Sequence, residues 1–145
     1  MKISDEQFMA LAILEAKKGK TPFGCVIVSD NEIATRAHNT VKTDQDPTAH
    51  AEINAIRSLF KNKQLNPADL TLYTTCEPCP MCISATIFAG IGRVVFGVSI
   101  TEISQYYRQI TIPSIEITER GFSNIEVKGG VLYQECLALL KNHGL

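Results

Sequence analysis

Residues 70–98 read LTLYTTCEPCPMCISATIFAGIGRVVFGV, and this stretch decides the fold. It predicts a strand over residues 70–75, a helix over residues 78–90 and a second strand over residues 93–98. Pro80 is compatible with the start of that helix, because the amides of a first helical turn have no intrahelical partner. The continuous apolar character of residues 93–98 is typical of a strand that is buried on both faces.

Helices and strands alternate in the same way along the rest of the chain. A helix is predicted from a cap at Ser4 or Asp5 to Gly19, another from Pro47-Thr48 to residue 60, and a last one over residues 132–141. Strands are predicted over residues 23–28, 33–37 and 125–127, and residues 39–46 are predicted as a loop. Residues 99–123 give only a weak helical signal, near 102–107. Without a repeat or a linker, this pattern predicts one α/β domain over residues 1–145.

The composition narrows the class of protein. The 145 residues are 45% hydrophobic and 20% charged, with a net charge of -1, which is typical of a globular domain without a strongly basic surface. No apolar run approaches the ~18–20 residues that a membrane span needs, and residues 1–8 lack the apolar core of a signal peptide. We therefore expect a cytoplasmic protein that does not enter a membrane. In a reducing cytoplasm, Cys-x-x-Cys indicates metal or redox chemistry rather than a structural disulfide.

Two short segments, His50-Ala51-Glu52 and residues 76–82, carry the residues of a metal site. Cys79 and Cys82 are three residues apart, so they share one face of the predicted helix, and the helix dipole stabilises thiolate charge at its first turn. With His50 they provide three ligands of the kind that zinc prefers, and leave a fourth tetrahedral position open for water. We predict that His50, Cys79 and Cys82 bind Zn²⁺.

Glu52 supplies the acid–base group that this chemistry requires. Zinc lowers the pKa of a bound water towards ~7, and Glu52 can take its proton and pass it to a ring nitrogen and then to a departing amine. The arrangement His-x-Glu with Pro-Cys-x-x-Cys is the pattern of zinc-dependent nucleobase deaminases. Pro78 and the helix-start amide of Ala51 are predicted to help hold the substrate.

Other interpretations of the cysteines remain open from the residues alone. Cys76 could complete a closed structural zinc site with His50, Cys79 and Cys82, or the Cys-x-x-Cys pair could be a redox pair. A closed site would give Glu52 no role, and we favour Cys76 as a small buried residue.

At these residues the chain resembles the cytidine deaminase superfamily, and within it the branch of guanine deaminases, fungal-type cytosine deaminases and bacterial tRNA adenosine deaminases. The resemblance implies a three-layer α/β/α fold with a central five-stranded mixed sheet, and a homodimer or higher oligomer. It further implies that Asn39 hydrogen-bonds the substrate base and that Phe23 forms a wall of the pocket. The matching segments are residues 22–24, Asn39, and residues 46–52, 76–82 and 91–97.

Different segments of the chain resemble family members that act on different substrates. Residues 76–82 resemble the guanine deaminase form of the motif, whereas residues 91–97 resemble the tRNA adenosine deaminase form. Because the tRNA enzymes end in a basic helix and this tail has only Lys141, tRNA is a disfavoured partner. We therefore predict a guanine-like purine, as a free base or nucleoside, with wobble adenosine of tRNA as the alternative. A structural-zinc or catalytically silent binding protein is the third interpretation, and Tyr106, Tyr107 and Arg108 are candidates to contact a base.

Overall fold

The fold is known from a computed structural model, which describes residues 1–62 and 64–143. A short 3-10 turn, Pro67–Asp69, precedes the third strand. The elements in chain order are α1 (Asp5–Lys18), β1 (Gly24–Ser29), β2 (Glu32–His38), α2 (Val41–Asp44), α3 (Ala51–Asn62), β3 (Leu70–Cys76), α4 (Pro80–Ala89), β4 (Arg93–Val98), α5 (Ile100–Ile103), α6 (Ser114–Glu119), β5 (Glu126–Lys128) and α7 (Tyr133–His143).

The strands form one mixed sheet in the order β2-β1-β3-β4-β5. β1 is antiparallel to both of its neighbours, whereas β3, β4 and β5 run parallel. Successive residues of β1 serve opposite faces: Val26 and Val28 pack with α1, α5 and α7, while Cys25 and Ile27 pack with α3 and α4. The predicted three-layer α/β/α fold with a five-stranded mixed sheet is confirmed.

Two predicted helices begin later than their sequence signals. Asp46 accepts hydrogen bonds from the amide and the hydroxyl of Thr48, at 2.9 and 2.7 Å, and this turn delays the start of α3 to Ala51. Similarly, α4 begins at Pro80 rather than at Pro78, with Cys79 as its N-cap. Both shifts leave a predicted metal ligand, His50 or Cys79, directly before a helix rather than inside it.

The weak parts of the sequence prediction were wrong in detail. Residues 39–46 contain the short helix α2, which ends where Gln45 adopts a left-handed backbone with φ of 51°. The helix expected near residues 102–107 overlaps α5 only at residues 102–103, and a second short helix, α6, follows after an irregular segment. No helix of the described residues is long and apolar enough to cross a membrane.

Asp5 ties the first helix to three strands. Its carboxylate accepts hydrogen bonds from both terminal nitrogens of Arg93, each at 2.8 Å, from the Tyr73 hydroxyl at 2.7 Å and from Lys128 Nζ at 3.0 Å. The Asp5 side chain is 17% exposed, and the Arg93 guanidinium holds the pKa of this carboxyl well below its usual range. The network therefore joins α1 to β3, β4 and β5.

Asp5→Asn is expected to lower the free energy of unfolding at pH 7 by about 1–3 kcal/mol, because charge-assisted bonds are lost. The folded pKa of Asp5 lies below its unfolded value of ~3.9, so this stabilisation is present above pH ~4 and is lost as the pH falls. Urea unfolding at pH 7 and pH 3 measures both effects. The control is Glu126→Gln, since Glu126 contacts the same Arg93 but is 66% exposed, and its loss should change stability little. Equal losses in the two variants would contradict the prediction.

Candidate active site

The three predicted metal ligands meet at two helix N-termini. His50 immediately precedes α3, Cys79 is the N-cap of α4, and Cys82 lies in the first turn of α4. His50 Nδ1 is 3.7 Å from Cys79 Sγ and 3.5 Å from Cys82 Sγ. Tetrahedral zinc with its usual Zn–N and Zn–S bond lengths requires a separation of about 3.6 Å between such atoms. The residues present therefore fit a zinc ion.

The cysteine pair has an unequal affinity for protons. Hydrogen bonds to Cys79 from the Cys82 thiol and from His50 lower the pKa of Cys79 to about 4. The same contact with Cys79, together with burial, raises the pKa of the Cys82 thiol, and the Cys79 contact raises the pKa of His50. Of the two thiols, Cys79 therefore loses its proton more readily, and metal binding would require Cys82 to lose its proton as well.

Cys76 lies outside this ligand group. Within the described residues, the atoms that lie within 4.8 Å of one another and could hold an ion belong to His50, Cys79 and Cys82. Cys76 is a buried residue at the end of β3, where burial raises the pKa of its thiol. Three protein ligands are typical of catalytic zinc sites, whereas structural sites are closed by four.

Glu52 is a buried carboxyl group beside the metal ligands. It is 6% exposed, and it occupies the second position of α3. Burial, followed by the negative charge of Cys79, raises the pKa of Glu52 to about 7. A carboxyl group with a pKa near neutrality can both accept and donate a proton at physiological pH.

A cavity of about 490 Å³ opens over this group. His50, Glu52 and Cys79 line it together with Phe23 and Asn39, the two residues that the resemblance assigned to the substrate. Ala51 and Pro78 are buried and are not part of the lining, so their contacts with substrate stay predictions.

Asn39 and Phe23 are held in defined orientations. The Asn39 side-chain oxygen accepts a hydrogen bond from the Val41 amide at 3.0 Å, while its amide nitrogen has no partner among residues 1–62 and 64–143. The Phe23 ring meets the ring of Tyr107 edge to face, with 5.2 Å between centroids. The free Asn39 nitrogen is therefore available to donate to a ligand in the cavity.

The remaining wall of the cavity comes from distant parts of the chain. Of the three residues predicted as candidates to contact a base, Tyr107 and Arg108 line the cavity, whereas Tyr106 packs against the core. The Tyr107 hydroxyl donates to the backbone oxygen of His143 at 2.8 Å, which brings the end of α7 to the cavity. The cavity is also lined by residues that no local sequence pattern brings together: Glu77, Lys20, Lys42, Gln109 and His143.

Comparisons with known proteins agree with this geometry. The family model described as the cytidine and deoxycytidylate deaminase zinc-binding region matches residues 2–98. The chain is 39% identical over 143 residues to a tRNA-specific adenosine deaminase of Bacillus subtilis, covering 94% of this chain and 86% of the relative. It is 37% identical over 131 residues to a guanine deaminase of the same organism, covering 80% and 83%.

A solved structure also resembles the fold. It comes from studies of A-to-I editing by tRNA:A34 deaminases at the wobble position of transfer RNA, and it matches with a TM-score of 0.73 and 28% identity. The match covers 91% of this chain and 97% of that one. The similarity therefore extends beyond the metal motifs to the whole architecture.

Proposed function

Because the chain belongs to the cytidine and deoxycytidylate deaminase family, whose members are zinc-dependent hydrolytic deaminases, we propose that its substrate is an adenosine within transfer RNA. The observation that carries this proposal is similarity to tRNA-specific adenosine deaminases over 94% of the chain, against 80% for a guanine deaminase. From the sequence alone, a guanine-like purine is the first-ranked substrate. That substrate becomes the second candidate.

Charges around the cavity favour a polyanionic substrate. Lys20, Lys42 and Arg108 line the cavity, and in the described part of the chain none of them has an ion-pair partner. Nucleic-acid binding depends on such cations because they neutralise phosphates. The C-terminal tail has only Lys141 as a cation, which by itself disfavours tRNA. Because Lys20, Lys42 and Arg108 lie in other segments and still line the cavity, the small number of cations in the tail does not disfavour tRNA.

The proposed roles follow from the geometry of the side chains. When bound to His50, Cys79 and Cys82, zinc supplies Lewis-acid activation of a water molecule. Glu52 accepts one proton from that water and delivers it to a ring nitrogen of the base, while the water oxygen bonds to the carbon that bears the amine. Glu52 then takes the second proton from that oxygen and passes it to the departing amine. Water replaces the amine as a carbonyl oxygen, and ammonia leaves. Asn39 donates its free amide N–H to the base and fixes its orientation.

Asn39→Asp is expected to lower kcat/KM by about 5–100-fold, because it replaces the donor with an acceptor of the same shape. The remaining carboxylate oxygen can still accept from the Val41 amide, so the local turn is preserved. Steady-state kinetics with metal content measured in parallel tests this. Asn31→Asp serves as the control, since Asn31 lies in the turn before β2, at the other end of that strand from Asn39, and its side chain bonds the backbone of Met1 and Ile3. Unchanged kinetics in Asn39→Asp would contradict the proposed hydrogen bond from Asn39 to the substrate.

A substrate panel tests the proposed function. Ammonia release is measured from transfer RNA, adenosine, guanine, guanosine and cytosine at several salt concentrations. We expect release from transfer RNA alone, with an efficiency that falls steeply as salt rises. Release from guanine without salt dependence would instead support the second candidate, which the 37% identity to a guanine deaminase favours.

We also propose that the protein is a homodimer that buries an apolar surface beside α4 and α6. Phe88 and Phe122 are 80% and 71% exposed, and their rings meet at 5.4 Å. With Ile112 and Ile117 they line a groove of about 390 Å³. Exposed apolar patches of this kind mark interaction surfaces.

Phe88→Glu is expected to convert the dimer to a monomer, because a charge would be buried in the interface. Light scattering after size-exclusion chromatography gives the mass directly. Phe60→Glu is the matched control, since Phe60 is exposed but lies on α3, outside this groove. A dimeric Phe88→Glu variant would exclude this surface as the interface.

A further inference from the structure

Glu77 is a buried carboxylate that the proposed chemistry does not use. It lies two residues before Cys79 and is 7% exposed. Its backbone amide donates to the Val98 oxygen at 2.8 Å, which joins the end of β3 to the end of β4. Its side chain points away from that ladder towards two other segments.

The two oxygens of Glu77 hold the starts of two helices. Oε1 accepts from the Ile100 amide at 2.7 Å, at the first residue of α5. Oε2 accepts from the Ser114 amide at 2.7 Å and from the Ser114 hydroxyl at 2.6 Å, at the first residue of α6. One side chain therefore anchors both ends of the segment from 100 to 114.

This anchored segment forms the wall of the cavity. Tyr107, Arg108 and Gln109 lie between the two anchors and line the cavity together with His50 and Glu52. Its flanking helices have four and six residues, which is too short for stability without tertiary support. Glu77 shares a short loop with Cys79, and its two hydrogen-bonded oxygens therefore tie this segment to the metal ligands.

We propose that Glu77 is a positioning residue that fixes residues 104–113 against the metal site and thereby sets the affinity for substrate. Glu77 itself lines the cavity. Both of its carboxylate oxygens are bonded to Ile100 and Ser114, so it acts through the wall that carries Tyr107 and Arg108 rather than on the reacting atoms. The inference rests on the proposed function only in that this wall contacts the substrate.

Glu77→Gln is the sharpest variant for testing this role. Gln keeps one oxygen acceptor but turns an NH₂ group towards either the Ile100 amide or the Ser114 pair, so one anchor is lost while volume is conserved. We expect amide hydrogen exchange within residues 100–114 to accelerate by at least about tenfold. We further expect KM to rise about tenfold, with kcat and zinc content close to those of the unsubstituted protein.

Two further variants keep the test decisive. Ser114→Ala removes only the hydroxyl donor, and should raise KM less than Glu77→Gln does. It provides the test if Glu77→Gln fails to fold. Asp5→Asn removes another carboxylate with several hydrogen bonds, remote from the cavity, and should lower stability without changing KM. If Asp5→Asn raised KM to the same extent, the effect would be general destabilisation and the proposal would be wrong.

A double-mutant cycle identifies the route of the effect. If Glu77 acts through the position of Arg108, the effects of Glu77→Gln and Arg108→Gln on KM should be non-additive. Additive effects, or unchanged exchange in residues 100–114, would overturn the proposal. The exchange measurement needs no substrate, and the kinetics use whichever substrate the panel identifies. Failure of the tRNA proposal is therefore distinguishable from failure of this one.

Discussion

Replacing Glu52 with Gln is expected to lower kcat by about 10²–10⁴-fold, the range typical of a lost general acid–base group. Gln has the same shape and can accept a hydrogen bond, but it cannot carry one water proton to the ring nitrogen of the base or the other to the departing amine. Because zinc is predicted to bind His50, Cys79 and Cys82, its stoichiometry should not change. Single-turnover kinetics and metal analysis on the same preparation measure both quantities.

Glu6→Gln is the control for the Glu52 experiment. Glu6 occupies the second position of α1, as Glu52 does in α3. Unlike Glu52, it is exposed and is not one of the residues that line the cavity. It should retain full activity. Loss of zinc together with activity in Glu52→Gln would show that Glu52 supports metal binding, and the proton-transfer role would have to be abandoned.

Local spacing explains why the metal ligands could be predicted. Cys79 and Cys82 are separated by one helical turn, so their proximity follows from any helix that begins near Cys79. The later start of α4, at Pro80, does not alter this, because Cys79 remains at the N-cap. The pair His50 and Glu52 could not be placed in this way, because residues two apart inside a helix lie on opposite faces. Both line one cavity in a fold where α3 begins only at Ala51, which leaves His50 outside the helix.

Long-range contacts explain what the sequence analysis missed. Tyr107 reaches the cavity because α7 brings the His143 carbonyl to its hydroxyl and because Glu77 holds Ser114. These partners are 36 and 37 residues apart in the chain, and no periodic pattern encodes such pairings. The substrate was ranked from the tail composition for the same reason: that Lys20, Lys42 and Arg108 share one cavity was visible only in three dimensions.

Cys82→Ala is expected to abolish zinc binding and to lower kcat/KM by at least about 10³-fold, since the metal supplies several kcal/mol of stabilisation to the transition state. With only two protein ligands left, we expect zinc to dissociate when the protein is diluted. The variant should also lose the stabilisation that metal binding adds to the folded state. Metal analysis after gel filtration, and thermal unfolding with and without a chelator, measure these losses. The chelator should destabilise the unsubstituted protein but not Cys82→Ala.

Substitutions of two other buried cysteines serve as controls, because they distinguish the loss of a metal ligand from the loss of any buried thiol. Cys136→Ala, in α7, removes a thiol of equal burial that contacts the opposite side of the sheet, and should keep its zinc and its activity. Cys76→Ala tests the closed four-ligand alternative, because Cys76 lines the cavity beside the site. If Cys76 only fills space, its variant binds zinc with the same stoichiometry as the unsubstituted chain. Loss of zinc in Cys76→Ala would make the site closed and structural, and Glu52→Gln would then have no effect on turnover.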